Sequence, residues 1–179
     1  MSRVPLITAA DTTGERQALL GQIHSAFGTT TPNTFRAVAN STAALKSLWG
    51  SFGALGAGVI PAALGEKIAV AIANRNACEY CLAAHTALGR KAGASSQQMS
   101  AAQGGESDDP KTAAALRFAL RVVDGRGQIE AEQVAVLRDA GYSDEEIVEI
   151  LAHVALNLFT NYVNVALAVP VDFPGVKLR

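Results

Sequence analysis

The chain has little of what several large protein classes require. Two cysteines in 179 residues cannot staple a secreted disulfide scaffold, and in a reducing compartment such a pair is poor reinforcement. Aromatic residues reach only 6%, and six prolines are outnumbered by 16 glycines. No stretch alternates polar and apolar residues as a half-buried strand would. Uninterrupted apolar runs are short: "ALGAGVIPAALG" is broken by Gly56, Gly58 and Pro61, so no membrane partner or span is expected. Charge of one sign is missing too. Fifteen Lys and Arg stand against 16 Asp and Glu, for a formal net charge of −1. With no basic block anywhere, nothing points to nucleic acid or an anionic surface. The opening "MSRVPLITAADTTGERQALL" has a short apolar stretch cut by Pro5. That makes a poor signal peptide, and the expected location is cytoplasmic.

What the chain does have is apolar residues at helical spacing almost throughout. The expectation is one all-α domain over 1–179, long enough to bury a full core. An N-terminal arm should cover about 1–14 and a first helix about 15–27, ending at Gly28. A second helix is expected from about Thr34 to Trp49, and the glycine-rich "GSFGALGAGVI" reads as a bend. Pro61 suits the first turn of the next helix, and the helix pair carrying the cysteines should span about 61–92. Asp109 with Pro110 starts another helix. Ser143 with Glu146 forms a capping box for the last and longest, about 144–168.

The two cysteines lie in "NACEYCLAAH", three apart, with a histidine four residues beyond the second. At the start of a helix, Cys78, Cys81 and His85 share one face. That spacing lets the sulfurs close a disulfide across one turn. The helix N-terminus favours thiolate over thiol, most strongly at Cys78. His85 lies four residues from Cys81 and can act as its base, which favours Cys81 instead. A thiolate attacks the weak O–O bond of a peroxide and becomes a sulfenic acid, which a second thiol condenses to a disulfide. Glu66, twelve residues before Cys78, can orient His85 if the two helices pack antiparallel. Zinc is the rival chemistry: Cys78, Cys81 and His85 supply three ligands, and His24 or His153 would have to complete four. Two buried, unreactive cysteines are the plainest alternative.

Glu66, "CEYC" at 78–81 and His85, within "NRNACEYCLAAHTALGRKAG", resemble the active-site signature of alkylhydroperoxidase AhpD-like proteins. These belong to the carboxymuconolactone decarboxylase family. The tail "NVALAVPVDFP" is similar to the end of that family's peroxidase-related branch. The resemblance implies an all-α, AhpD-like helical domain with the CxxC at the start of a core helix, assembled as trimers or hexamers with the site near subunit contacts. It implies a peroxidase acting on organic hydroperoxides. Cys81 would be the attacking sulfur, Cys78 the more accessible resolving one, and His85 with Glu66 the proton relay. No haem, flavin, metal or other cofactor is implied. The reductant would be a dithiol, lipoyl or thioredoxin-like. The best-known members carry a histidine where this chain has Tyr80, whose unperturbed pKa of about 10 rules it out as a neutral-pH base. The competing class is a non-enzymatic metal-binding or helical assembly protein built on Cys78, Cys81 and His85.

Other residues are candidates on weaker grounds. His153, Asn157, Asn161 and Asn164 form a polar stripe on the last helix that faces a subunit contact, the wall of the site, or solvent. Trp49 reads as core or pocket wall, His24 as a surface residue, and Arg117, Arg121 and Arg126 as a solvated face.

Overall fold

The computed structural model describes every residue of the chain except Thr29. Among the described residues there are nine α-helices, a single 3-10 turn at Ala9–Asp11 and no strand. The fold is all-α. In chain order the helices are α1 (Gly14–Phe27), α2 (Asn33–Val38), α3 (Thr42–Gly56), α4 (Ala62–Arg75), α5 (Glu79–Lys91), α6 (Ser96–Gln103), α7 (Pro110–Asp124), α8 (Ala131–Asp139) and α9 (Asp144–Ala166). None is long and apolar enough to cross a membrane.

Helix α4 is the centre of the larger core. Ile68 through Ala73 are all buried on it, so it is apolar on every side and must be enclosed. Helices α5, α6, α7 and α9 enclose it, and its alanines Ala69, Ala71 and Ala73 let them approach closely. A second, smaller core joins α1 to α3 through Leu20, Ile23, Phe35, Leu45 and Leu48. Each fully buried Leu or Ile contributes about 1.5–3 kcal/mol. The site described below lies where the two cores meet.

Two expectations from the sequence need correcting. The helix expected over 34–49 is two helices: the chain breaks after Val38 and restarts at Ser41, whose hydroxyl accepts from the Ala44 N–H. The glycine-rich stretch after Trp49 is no bend until residue 57, because α3 runs through Gly50 and Gly53 to Gly56. Those glycines lie three apart on the exposed side. On the other side Leu48 and Phe52 join the smaller core, and that packing outweighs the helix penalty of about 1 kcal/mol per glycine.

The turn between α4 and α5 places the cysteines. Ala77 adopts a left-handed φ of 52°, and the amides of Ala77 and Cys78 donate back to Asn74 O and Ala73 O. This is a Schellman ending. Cys78 is also the N-cap of α5, where its sulfur accepts the Cys81 N–H at 3.3 Å. Cys78 therefore sits just before the first helical turn instead of within it. Past α9, the tail from Val169 runs back across the molecule. Asp172 accepts the Asn33 N–H at 2.8 Å, and Phe173 packs edge-on against Tyr80 with ring centres 5.9 Å apart.

Candidate active site

Because α5 turns back along α4, Glu66 on one meets His85 on the other, with Oε2 and Nδ1 2.7 Å apart. His85 is buried, while Glu66 keeps a partial opening. A glycine makes this approach possible. A side chain at Gly89, one turn after His85, would stand 3.2 Å from Glu66 Cβ and crowd Met99 still more. With Nδ1 occupied by the carboxylate, the Nε2 of His85 is left as the basic nitrogen.

Cys78 and Cys81 meet as a disulfide, with Cα atoms 5.4 Å apart. Both are buried, at 1% and 2% exposure, so the greater accessibility expected of Cys78 is not seen in this form. Cys78 does form part of a surface groove with Glu79, Val165 and Val169. The polar contact to Cys81 comes from Asn164 of α9, whose Nδ2 donates to the sulfur at 3.2 Å. The Thr34 hydroxyl donates to Asn164 Oδ1 at 2.8 Å, which fixes the amide with its N–H side toward the sulfur. An N–H aimed at a sulfur favours the thiolate.

The polar stripe of α9 thus faces inward. Asn157, Asn161 and Asn164 are all buried, and Asn161 accepts from Asn76 in the turn before the cysteines at 3.0 Å. Of these, Asn164 is the contributor to the site whose contact the sequence could not specify. Its spacing on α9 was the available signal, but the surface it meets depends on packing against a helix some 80 residues earlier.

Cys81 and His85 open onto a pocket walled by Phe27, Phe35, Phe52, Leu88 and Phe173. Four of the six phenylalanines of a chain poor in aromatics are therefore gathered here. Tyr80 forms another wall, and its hydroxyl accepts the Thr34 N–H at 3.3 Å. Burial, followed by the neighbouring Asp172 carboxylate, holds its phenol well above its ordinary range. Tyr80 stays protonated and can only orient.

The remaining candidates lie elsewhere. His24 is exposed on α1, and Arg117, Arg121 and Arg126 are exposed. Trp49 packs edge-on against Phe35 and donates to Gln22 Oε1 at 3.3 Å. Among the described residues, no group of three or more His, Cys, Asp or Glu side chains is arranged to hold a metal ion.

Fold and site together define an all-helical protein with paired cysteines at the start of a core helix. Residues 42–125 match the carboxymuconolactone decarboxylase family, and the fold as a whole is similar to that of AhpD-like proteins. A peroxidase-related protein of Silicibacter sp. TM1040 superposes with a TM-score of 0.81 at 25% identity, covering 98% of this chain and 92% of that one. An AhpD-core, peroxidase-related protein of Ralstonia eutropha JMP134 gives 0.87 at 23% identity over 96% and 92%. The debrominase Bmp8, in a variant bound to 2,3,4-tribromopyrrole, gives 0.80 at 21% identity over 94% and 91%. No curated protein matches the sequence.

Proposed function

We propose that this chain, acting as one AhpD-like domain over 1–179, is a thiol-dependent peroxidase that reduces organic hydroperoxides. The observation that carries this reading is a partner sulfur and an amide N–H on Cys81, with the carboxylate-held imidazole of His85 lining the same apolar pocket. In the reduced protein the Cys81 thiolate attacks the outer oxygen of R–O–OH. The S–O bond forms, the O–O bond breaks, and the leaving alkoxide takes a proton through His85 to become the alcohol. The sulfur has then lost two electrons and is a sulfenic acid. The Cys78 thiol condenses with it, forming the disulfide and releasing water. A dithiol, lipoyl or thioredoxin-like, returns both cysteines to thiols. Sulfur carries both electrons, so this cycle calls on no haem, flavin or metal.

The apolar walls favour an organic R group, since only the reacting end of the substrate would meet polar atoms. Glu66 orients His85, and Asn164 supports the thiolate at Cys81, where the sequence alone left a choice between the two sulfurs. A cytoplasmic setting accords with the cycle, because a reducing compartment regenerates the pair. Assembly into a trimer or hexamer accords with Val148, Phe159, Tyr162 and Val165 of α9, which leave apolar surface exposed along one helix.

Thiols counted before and after one equivalent of cumene hydroperoxide, with metal analysis, test the reading. Both thiols should be consumed, and non-reduced peptide mapping should find the disulfide within residues 76–90. Two stable free thiols, or zinc bound in place of reactive sulfur, would overturn it.

A further inference from the structure

Behind His85, away from the sulfurs, lies a second cavity of about 120 Å³, with room for several waters. Its apolar walls include Phe52, Leu55 and Ile60, and its polar members are Glu66, His85, His153 and Asn157. Two of its polar atoms are buried without a hydrogen-bond partner among the described residues: His153 Nε2 and Asn157 Oδ1. The amide of Asn157 is already committed, because its Nδ2 donates to His153 O at 2.9 Å. Leaving such atoms unmet costs about 1–3 kcal/mol each, so a cavity that holds both is one that water fills.

The backbone is shaped around the imidazole. A side chain at Gly65, the residue before Glu66, would stand 3.0 Å from His153 Cε1. Glycine lets the ring lie against α4 beside the carboxylate. The charged and titratable groups facing His153 are Glu66 from α4, His85 from α5 and Glu149 one turn earlier on α9. Glu149 is itself held by the Val59 and Ile60 amides, at 2.9 and 2.8 Å.

We propose that His153 is a second proton station of the site: it takes up, through Glu66, His85 and cavity water, the proton that Cys81 gives up, and returns it when the alkoxide leaves. The proposal rests on the peroxidase reading for the origin of that proton. The transfer is Cys81–SH plus neutral His153 giving Cys81–S⁻ plus protonated His153; once the O–O bond has broken, protonated His153 gives its proton to RO⁻, leaving neutral His153 and ROH beside the Cys81 sulfenic acid. Neither proton transfer oxidises anything. Burial, which outweighs the two carboxylates, lowers the His153 pKa from its ordinary value, so the resting ring is neutral and, once protonated, gives the proton up readily to the alkoxide.

His153→Ala should slow Cys81 oxidation roughly tenfold, less than the 10²–10⁴ of a direct acid or base. Imidazole in the buffer should restore the rate in a saturable way, and a non-basic ring of the same shape should not. Gly65→Ala, which tilts the ring without removing it, should slow the reaction with no imidazole rescue. Equal restoration by both rings would mark a purely space-filling role, and an unchanged rate in His153→Ala would also overturn the proposal. A readout independent of activity is available because the chain has three histidines. The NMR titration of the His153 ring should move upward when the disulfide is reduced and Cys81 becomes a thiolate. An identical midpoint in both forms overturns the proposal. A shift in a protein that reduces no hydroperoxide sustains the proton station and sinks the peroxidase reading.

Discussion

The two cavities on either side of His85 differ in the polar groups they hold. The one over Cys81 is ringed by phenylalanines; the one behind it holds a carboxylate, two imidazoles and an amide oxygen without a partner among the described residues. Only Phe52 and His85 line both. An apolar chamber suits an organic substrate and keeps water from a sulfenic acid, but it has nowhere to put a proton. A polar chamber stores protons but would expose the sulfur to further oxidation. On the proposed peroxidase reading, the separation of the two by His85 and Phe52 is what would let one site do both.

Removing the sulfur on the apolar side should have the largest effect. Cys81→Ser should abolish rapid reaction with hydroperoxide, a loss of at least about a thousandfold. Cys78→Ser should keep the first step and accumulate a sulfenic acid at Cys81, since no thiol nearby condenses with it. A sulfenic-acid probe with peptide mapping reads both, and fast labelling of Cys78 in Cys81→Ser would reverse the assignment.

Removing the divider's base comes next. His85→Ala should slow Cys81 oxidation about a hundredfold at pH 7. Its pH dependence should move up toward the unperturbed cysteine value of about 8.5. An unshifted profile would leave the Asn164 amide and the helix start as the source of activation.

Phe52→Ala should merge the chambers. The half-buried ring should cost roughly 2 kcal/mol, below the range for a fully buried phenylalanine. The first oxidation should change only a few-fold, while overoxidation to sulfinic acid, followed by mass spectrometry, should become several times more frequent. If overoxidation stays at the wild-type level, the apolar chamber is not what protects the sulfur.

The smallest effect belongs to the polar side at equilibrium. His153 is harder to protonate folded than unfolded, its pKa being lowered from 6.5 mainly by burial. The unfolded chain therefore binds more protons below about 6.5, and stability falls as the pH falls from there through the folded pKa. His153→Gln should flatten that part of the curve of Tm against pH. An unchanged slope would mean that the ring titrates alike in the folded and unfolded chain.

Much of this was legible in the sequence, and the limits have physical causes. The all-α fold follows from helical spacing, and the stretch from Glu66 to His85 is local enough for periodicity to set its faces. The break at residues 39–41 was hidden because Ala39 is itself buried core and continues the apolar pattern across the gap. The helix through Gly50 and Gly53 was hidden for the opposite reason: local propensity argued against it, and tertiary packing overrode it. The α9 stripe could be seen as a stripe, but the contact of Asn164 with Cys81 and the meeting of His153 and Glu66 at one cavity depend on how α9 lies on α4 and α5.

Cys78 both completes the last turn of α4 and caps α5, and this constrains how the sequence can drift. With no spare linker at that junction, an insertion or deletion there turns everything beyond it by about 100° per residue, given 3.6 residues per turn. His85 would rotate away from Glu66 while both helices stayed intact. Substitutions in this stretch act through the side chain they change, whereas a change of length displaces the whole site. Relatives that share the chemistry should hold the intervals from 66 to 78 and from 78 to 85 fixed, while loops such as 125–130 vary freely in length.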